Sequence, residues 1–129
     1  MTIAMYCVFA AALLLMVSKL PVGYFQIQAG GYNNKDPRAQ QAALEGAGKR
    51  ALAAHQNAFE AFPIFAVGVI LAQMGEATQG TVDTLALVFI VARVLFQICY
   101  LKNWATPRSL VWFVGFVSSL ALMLSPAWA

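Results

Sequence analysis

Between Thr84 and Leu101 the chain reads TLALVFIVARVLFQICYL, a run whose single charge is Arg93. About 20 helical residues, each rising about 1.5 Å, are needed to cross a hydrocarbon core about 30 Å thick. The run has that length and no strand-like alternation. Lipid offers the backbone no hydrogen bonds, so a segment of this kind is expected to be an α-helix. Three comparable runs lie outward from it. One covers about residues 3–22 and is closed by Lys19, Pro21 and Gly23. Another covers 51–74, starting as a polar helix near Ala42 and turning apolar through Phe59. The last covers 110–126. The expectation is an all-α membrane protein: a bundle of four transmembrane helices forming one domain over residues 1–129, with a polar loop at about 23–50.

Composition points the same way. Of 129 residues, 61% are hydrophobic and 10% are charged, against about 25% charged in soluble domains. The net charge of +3 is carried by basic residues scattered singly, which argues against a nucleic-acid partner, since that needs a clustered basic surface. Cys7 and Cys99 lie inside apolar runs without metal-ligand spacing and read as packed thiols. No metal is expected. The first run has no basic residue ahead of it and no clear small-x-small cleavage site, so it is read as a retained span. Lys19, Lys35, Arg38, Lys49 and Arg50 flank or occupy the first loop, and Lys102 and Arg108 bracket the third. The second loop carries Glu76 and Asp83 and no Lys or Arg. By the positive-inside rule the first and third loops are cytoplasmic and both termini face the other side.

Two polar stripes interrupt this apolar pattern. A cation at mid-span costs at least about 2.5 kcal/mol unless it is paired or hydrated, so Arg93 is expected to face the bundle interior. Gln97 and Tyr100 follow it on the same helical face. Arg50, Asn57 and Glu60 form a matching face on the second span, and Glu60 and Arg93 reach a similar depth. The two are expected to compensate each other's charge. Such a pair serves either a site or helix register alone. Arg50, Asn57, Tyr100 and Arg108 together suit a cleft for an anionic, water-soluble ligand whose reaction partner arrives through the lipid. The plainer readings are a positive-inside anchor for Arg108 and an interfacial aromatic for Tyr100.

These residues also carry a family resemblance. The run RALAAHQNAFEAFP at 50–63 resembles the second helix of the MAPEG proteins, membrane-associated proteins in eicosanoid and glutathione metabolism. The pattern there is Arg-rich, then Asn-x-x-Glu-x-x-Pro. Ala92-Arg93, six residues, then Tyr100-Leu101 resembles their third helix, and PRSL at 107–110 followed by FVGF at 113–116 resembles the fourth. The likeness is to the bacterial type, closest to the microsomal glutathione transferases, and spans roughly residues 45–120.

The resemblance implies a homotrimer of four-helix subunits in the bacterial inner membrane, with glutathione as co-substrate between subunits near the cytoplasmic face. Arg108 takes the catalytic position, stabilising the thiolate. Arg50, His55, Asn57, Glu60, Arg93 and Tyr100 take glutathione-binding positions, although His55 points about 160° away from Asn57 on the same helix. The implied activity is transfer of glutathione to a hydrophobic electrophile, or reduction of a lipid hydroperoxide. The chain departs from the pattern one turn before Asn57, where Leu52 and Ala53 replace family arginines, and at Tyr24 to Gln28, where another is missing. Those losses favour the competing reading of a non-catalytic lipid-binding protein on the same scaffold. A small transporter using Arg93 and Glu60 is a third class, disfavoured because the polar residues gather at one end.

Overall fold

The computed structural model describes residues 1–128, and every element among them is helical. In chain order these are α1 (Ile3–Val17), α2 (Lys19–Gln28), α3 (Pro37–Ala42), α4 (Ala47–Met74), α5 (Gln79–Leu101) and α6 (Ala105–Leu124), closed by a 3-10 turn at Ser125–Ala127. Four stretches are long and apolar enough to cross a membrane: Ile3–Gln28, Ala47–Met74, Gln79–Leu101 and Ala105–Ala127. The chain is a four-helix membrane bundle.

The first span runs further than the sequence suggests. Helix continues to Gln28 instead of stopping near residue 22, with a break only at Ser18. Pro21 explains both facts. It is the third residue of α2, where a backbone N–H has no intrahelical partner to lose, so it restarts a helix there instead of ending one. Ser18 bridges the break, its N–H donating to Leu14 O at 2.9 Å and its Oγ donating to Leu15 O at 3.0 Å. Gly30 and Gly31 then turn the chain at φ of 101° and 99°, a conformation that costs glycine little. Two amides order the segment beyond this turn. Gln26 Nε2 donates to Gln40 Oε1 at 3.1 Å, and Gln40 Nε2 donates back to Gln26 O at 3.2 Å, docking α3 beside α2.

Hydrogen bonds also define the two ends of the bundle. At one, Thr2 Oγ1 donates to Gln73 Oε1 at 3.0 Å, and the Ala4 N–H donates to Asp83 Oδ1 at 3.0 Å. These bonds gather the starts of α1 and α5 with the end of α4. At the other end, Arg50 Nη2 reaches Leu101 O at 3.4 Å, joining the start of α4 to the end of α5. Lys35, Arg38, Lys49, Lys102 and Arg108 lie in the segments meeting there, making it the basic end.

Between the ends, the helices meet on small residues. Ala4, Cys7 and Ala11 of α1, Ala72 of α4, and Ala86 of α5 are buried around Phe65, Val69, Phe89 and Leu122. Phe65 and Phe89 stack with ring centroids 3.9 Å apart. A Cβ at Gly68 would stand 2.9 Å from Ser119 O, so glycine there lets α4 touch the backbone of α6. Small residues suit a setting where lipid solvates apolar side chains as well as protein does and close packing supplies the attraction. Large apolar residues such as Phe9, Leu13, Ile70, Val91 and Val117 instead point outward.

Candidate functional site

Arg93 lies on the buried face of α5 and is only 5% exposed. It faces inward, as its cost in lipid demands. Its guanidinium carbon lies 4.2 Å from the Phe96 ring centroid, a cation–π contact made one turn along the helix. Its Nη2 is buried and has no hydrogen-bond partner. A buried group of this kind is costly unless it finds a partner.

A pocket of about 150 Å³ opens beside it between α4, α5 and α6. Asn57, Glu60 and Arg93 supply its polar wall, and Ile64, Phe89 and Phe116 are among its apolar residues. Asn57 Nδ2 donates to Glu60 Oε2 at 3.4 Å, while Asn57 Oδ1 is buried without a partner. The expected compensation between Glu60 and Arg93 therefore takes a looser form. The two opposite charges share one wall, Glu60 bonded to Asn57 and Arg93 resting on Phe96. The physical reason is reach: Glu60 is on the exposed rim of the pocket, whereas Arg93 is in its depth.

A second pocket, of about 220 Å³, adjoins the first toward the basic end. Tyr100, Arg108, Ser109 and Phe96 line it, and Asn57 and Trp112 line both pockets. The tight turn between α5 and α6 builds this arrangement. Asn103 takes a positive φ of 58°, and Trp104 N–H donates to Cys99 O at 2.8 Å, folding α6 back so that Arg108 lies over Tyr100. The Arg108 guanidinium carbon is 4.5 Å from the Tyr100 ring centroid. Tyr100 in turn packs edge-on to Phe96 with centroids 5.5 Å apart. Arg108 is in the first turn of α6, whose start has no side-chain cap. A guanidinium beside the positive end of the helix dipole favours an anion.

Five of the seven residues singled out from sequence thus gather: Asn57, Glu60, Arg93, Tyr100 and Arg108 line the two adjoining pockets. Arg50 and His55 line neither. Arg50 caps the end of α5 through Leu101 O, where the helix dipole favours a cation, and its Nε is buried without a partner. His55 turns to the opposite side of α4. Its Nδ1 is 2.8 Å from Ser18 Oγ, and its ring packs edge-on to Phe59 at 5.1 Å. Within the chain it steadies the break in the first span. Its angle of about 160° from Asn57 on the helix foretells that separation.

Trp112 is the residue that sequence reasoning missed. It lines both pockets and stacks on Phe116 with centroids 5.1 Å apart. The signal that could have found it is spacing: Trp112 is four residues after Arg108, and Gly115, Phe116 and Ser119 continue that face.

Residues 3–128 match the model of the MAPEG family. No curated protein matches the chain.

Proposed function

Because this chain belongs to the MAPEG family, we propose that it is a membrane-bound, glutathione-dependent transferase or peroxidase acting on hydrophobic electrophiles or lipid hydroperoxides. The observation that carries this reading is the adjoining pair of pockets, one with two opposite charges and one with a lone guanidinium. The γ-glutamyl end of glutathione carries an ammonium and a carboxylate on one carbon. A wall with Glu60 on its rim and Arg93 in its depth suits that zwitterion, where a plain anion would meet repulsion from Glu60. Asn57 Oδ1, buried and without a partner, adds an acceptor for an N–H group.

The remainder of the tripeptide then extends toward Arg108. A free thiol titrates near about pH 8.5, and a guanidinium that cannot lose its charge favours the thiolate. Stacking on Tyr100 fixes Arg108 in place, and the start of α6 is the positive end of its helix dipole. The thiolate attacks the electrophilic carbon, the carbon–sulfur bond forms, and the leaving group departs with the electron pair. With a hydroperoxide, the thiolate attacks the O–O bond and a second glutathione closes the disulfide, releasing alcohol and water. The bilayer delivers the apolar partner by concentrating it.

The finer parts of the reading follow the family. The active unit is a homotrimer with glutathione held near the cytoplasmic face of a bacterial inner membrane, the first and third loops inside and both termini outside. Arg50 and His55, which line neither pocket of one protomer, then act from a neighbouring subunit. Calorimetric titration of the purified protein with glutathione tests the reading, followed by transfer and peroxidase assays on wild type and Arg108→Ala. Binding with activity that falls in Arg108→Ala supports it. Activity indifferent to Arg108 removes the catalytic role.

One observation favours a second reading. With Leu52 and Ala53 in place of arginines, the pockets hold only two guanidinium groups among the described residues, and a groove of about 450 Å³ walled by Leu87, Val91, Leu95 and Val114 runs along the outside of α5 and α6. A lipid-binding protein without chemistry fits that combination. Absence of any glutathione binding by calorimetry would select it.

A further inference from the structure

Behind Arg93, on the side away from the larger pocket, α1, α4 and α5 border a small, partly open cavity of about 10 Å³. Its walls include Leu14, Leu15, Ala58 and Phe62, and its two polar residues are Arg93 and Gln97. A cavity of about 10–15 Å³ in this measure is the smallest that holds one water, and a water stays only where polar groups meet it. The cavity is at the lower limit of that size, and two polar side chains border it. Arg93 carries a buried N–H group without a partner. Gln97, one turn further along the same face, donates its Nε2 to Ala54 O on α4 at 2.9 Å. That bond fixes the carboxamide and leaves its Oε1 as the acceptor.

We infer that Gln97 is the positioning residue for Arg93, acting through one ordered water held between them. The water accepts from the guanidinium and donates to Gln97 Oε1, so the buried cation is hydrated from behind. Gln97 is itself anchored to α4 one turn before Asn57, which ties the guanidinium to the helix that carries the other polar residues of the pocket. The consequence is directional. Nitrogens occupied on the inner side hold the guanidinium plane still, and its remaining N–H groups are presented to the pocket shared with Glu60. The link to ligand binding rests on the glutathione reading, whereas the water itself does not.

Two measurements test the inference. The first is a high-resolution structure of the wild-type protein in lipid without glutathione. Ordered density within about 3 Å of both Arg93 and Gln97 is expected, and a cavity without it overturns the water. The second is glutathione affinity in Gln97→Met and Gln97→Glu. Met matches the length but offers neither donor nor acceptor, and affinity is expected to fall on the order of tenfold. Glu keeps an oxygen toward the water but loses the donor to Ala54 O, so it should recover part of that loss, whereas a purely structural role for Gln97 predicts a loss at least as large as in Gln97→Met. Equal affinity of wild type and Gln97→Met overturns the positioning role. If wild type binds no glutathione, the functional reading fails, and the ligand-free density still decides whether Gln97 hydrates Arg93.

Discussion

Arg108 and Tyr100, eight residues apart and on different helices, are brought into face contact at 4.5 Å by the turn through Asn103. The contact sets the direction of a guanidinium whose charge cannot be tuned by proton loss. It also places that charge at the start of α6 instead of its end, against the helix dipole. A cation kept at the less favourable terminus is poised for an anion.

Replacing Arg108 by Ala is therefore expected to lower kcat by on the order of a hundredfold, the usual effect of losing one group that stabilises developing or transferred charge. Arg108→Lys keeps the charge and loses the planar stack on Tyr100, so its loss should be smaller. Steady-state kinetics with a chromogenic electrophile gives kcat, and the ultraviolet absorbance of bound thiolate reports whether ionisation is the affected step.

Arg93→Met separates binding from stability. The side chain is 5% exposed and holds a full charge among apolar helices, so an apolar side chain of similar length should stabilise the ligand-free bundle by roughly 1–2 kcal/mol. The same change removes the cation from the pocket and should weaken glutathione binding about ten- to a hundredfold. Thermal melting in detergent and calorimetry measure the two effects. A variant that is both less stable and fully competent to bind would contradict the assignment.

Much of the architecture is legible in the sequence alone. Four apolar runs mark the spans, and Arg93 announces an interior site because any other placement in lipid is too costly. The helix through Gln28 is not legible, because Pro21 reads as a stop until its place in the first turn of α2 is known. Nor is the order of α3, which depends on Gln26 and Gln40 meeting across 14 residues of sequence. Helical angle separates His55 from Asn57, but does not reveal that its partner is Ser18 at the break in another helix. Periodicity reports which face a residue occupies. It does not report what stands opposite.

The Ser18–His55 contact at 2.8 Å supports a coupling measurement. Ser18→Ala and His55→Phe should each cost about 1 kcal/mol, and the double variant should cost less than their sum by about 1 kcal/mol, because the second change has no bond left to remove. Chemical or thermal unfolding of the four proteins closes the cycle. Additive losses would mean that the two side chains contribute independently to the first span.

Gly68 and Gly23 should respond oppositely to the same substitution. A Cβ at Gly68 would meet Ser119 O at 2.9 Å and Leu122 Cβ at 3.1 Å, and neither is the free end of a flexible chain. Gly68→Ala must push α6 away from α4, at an expected cost of about 1–3 kcal/mol. That shift also widens the wall shared by Ser119 and Ile64, so the pocket beside Arg93 should bind less tightly. At Gly23 in α2 a Cβ meets nothing within 4 Å, and alanine should stabilise the helix by roughly 0.4–1 kcal/mol through reduced freedom of the unfolded chain. Melting temperatures of the two variants against wild type test the pair. A Gly68→Ala protein as stable as wild type would show that α4 and α6 do not need backbone contact at this level.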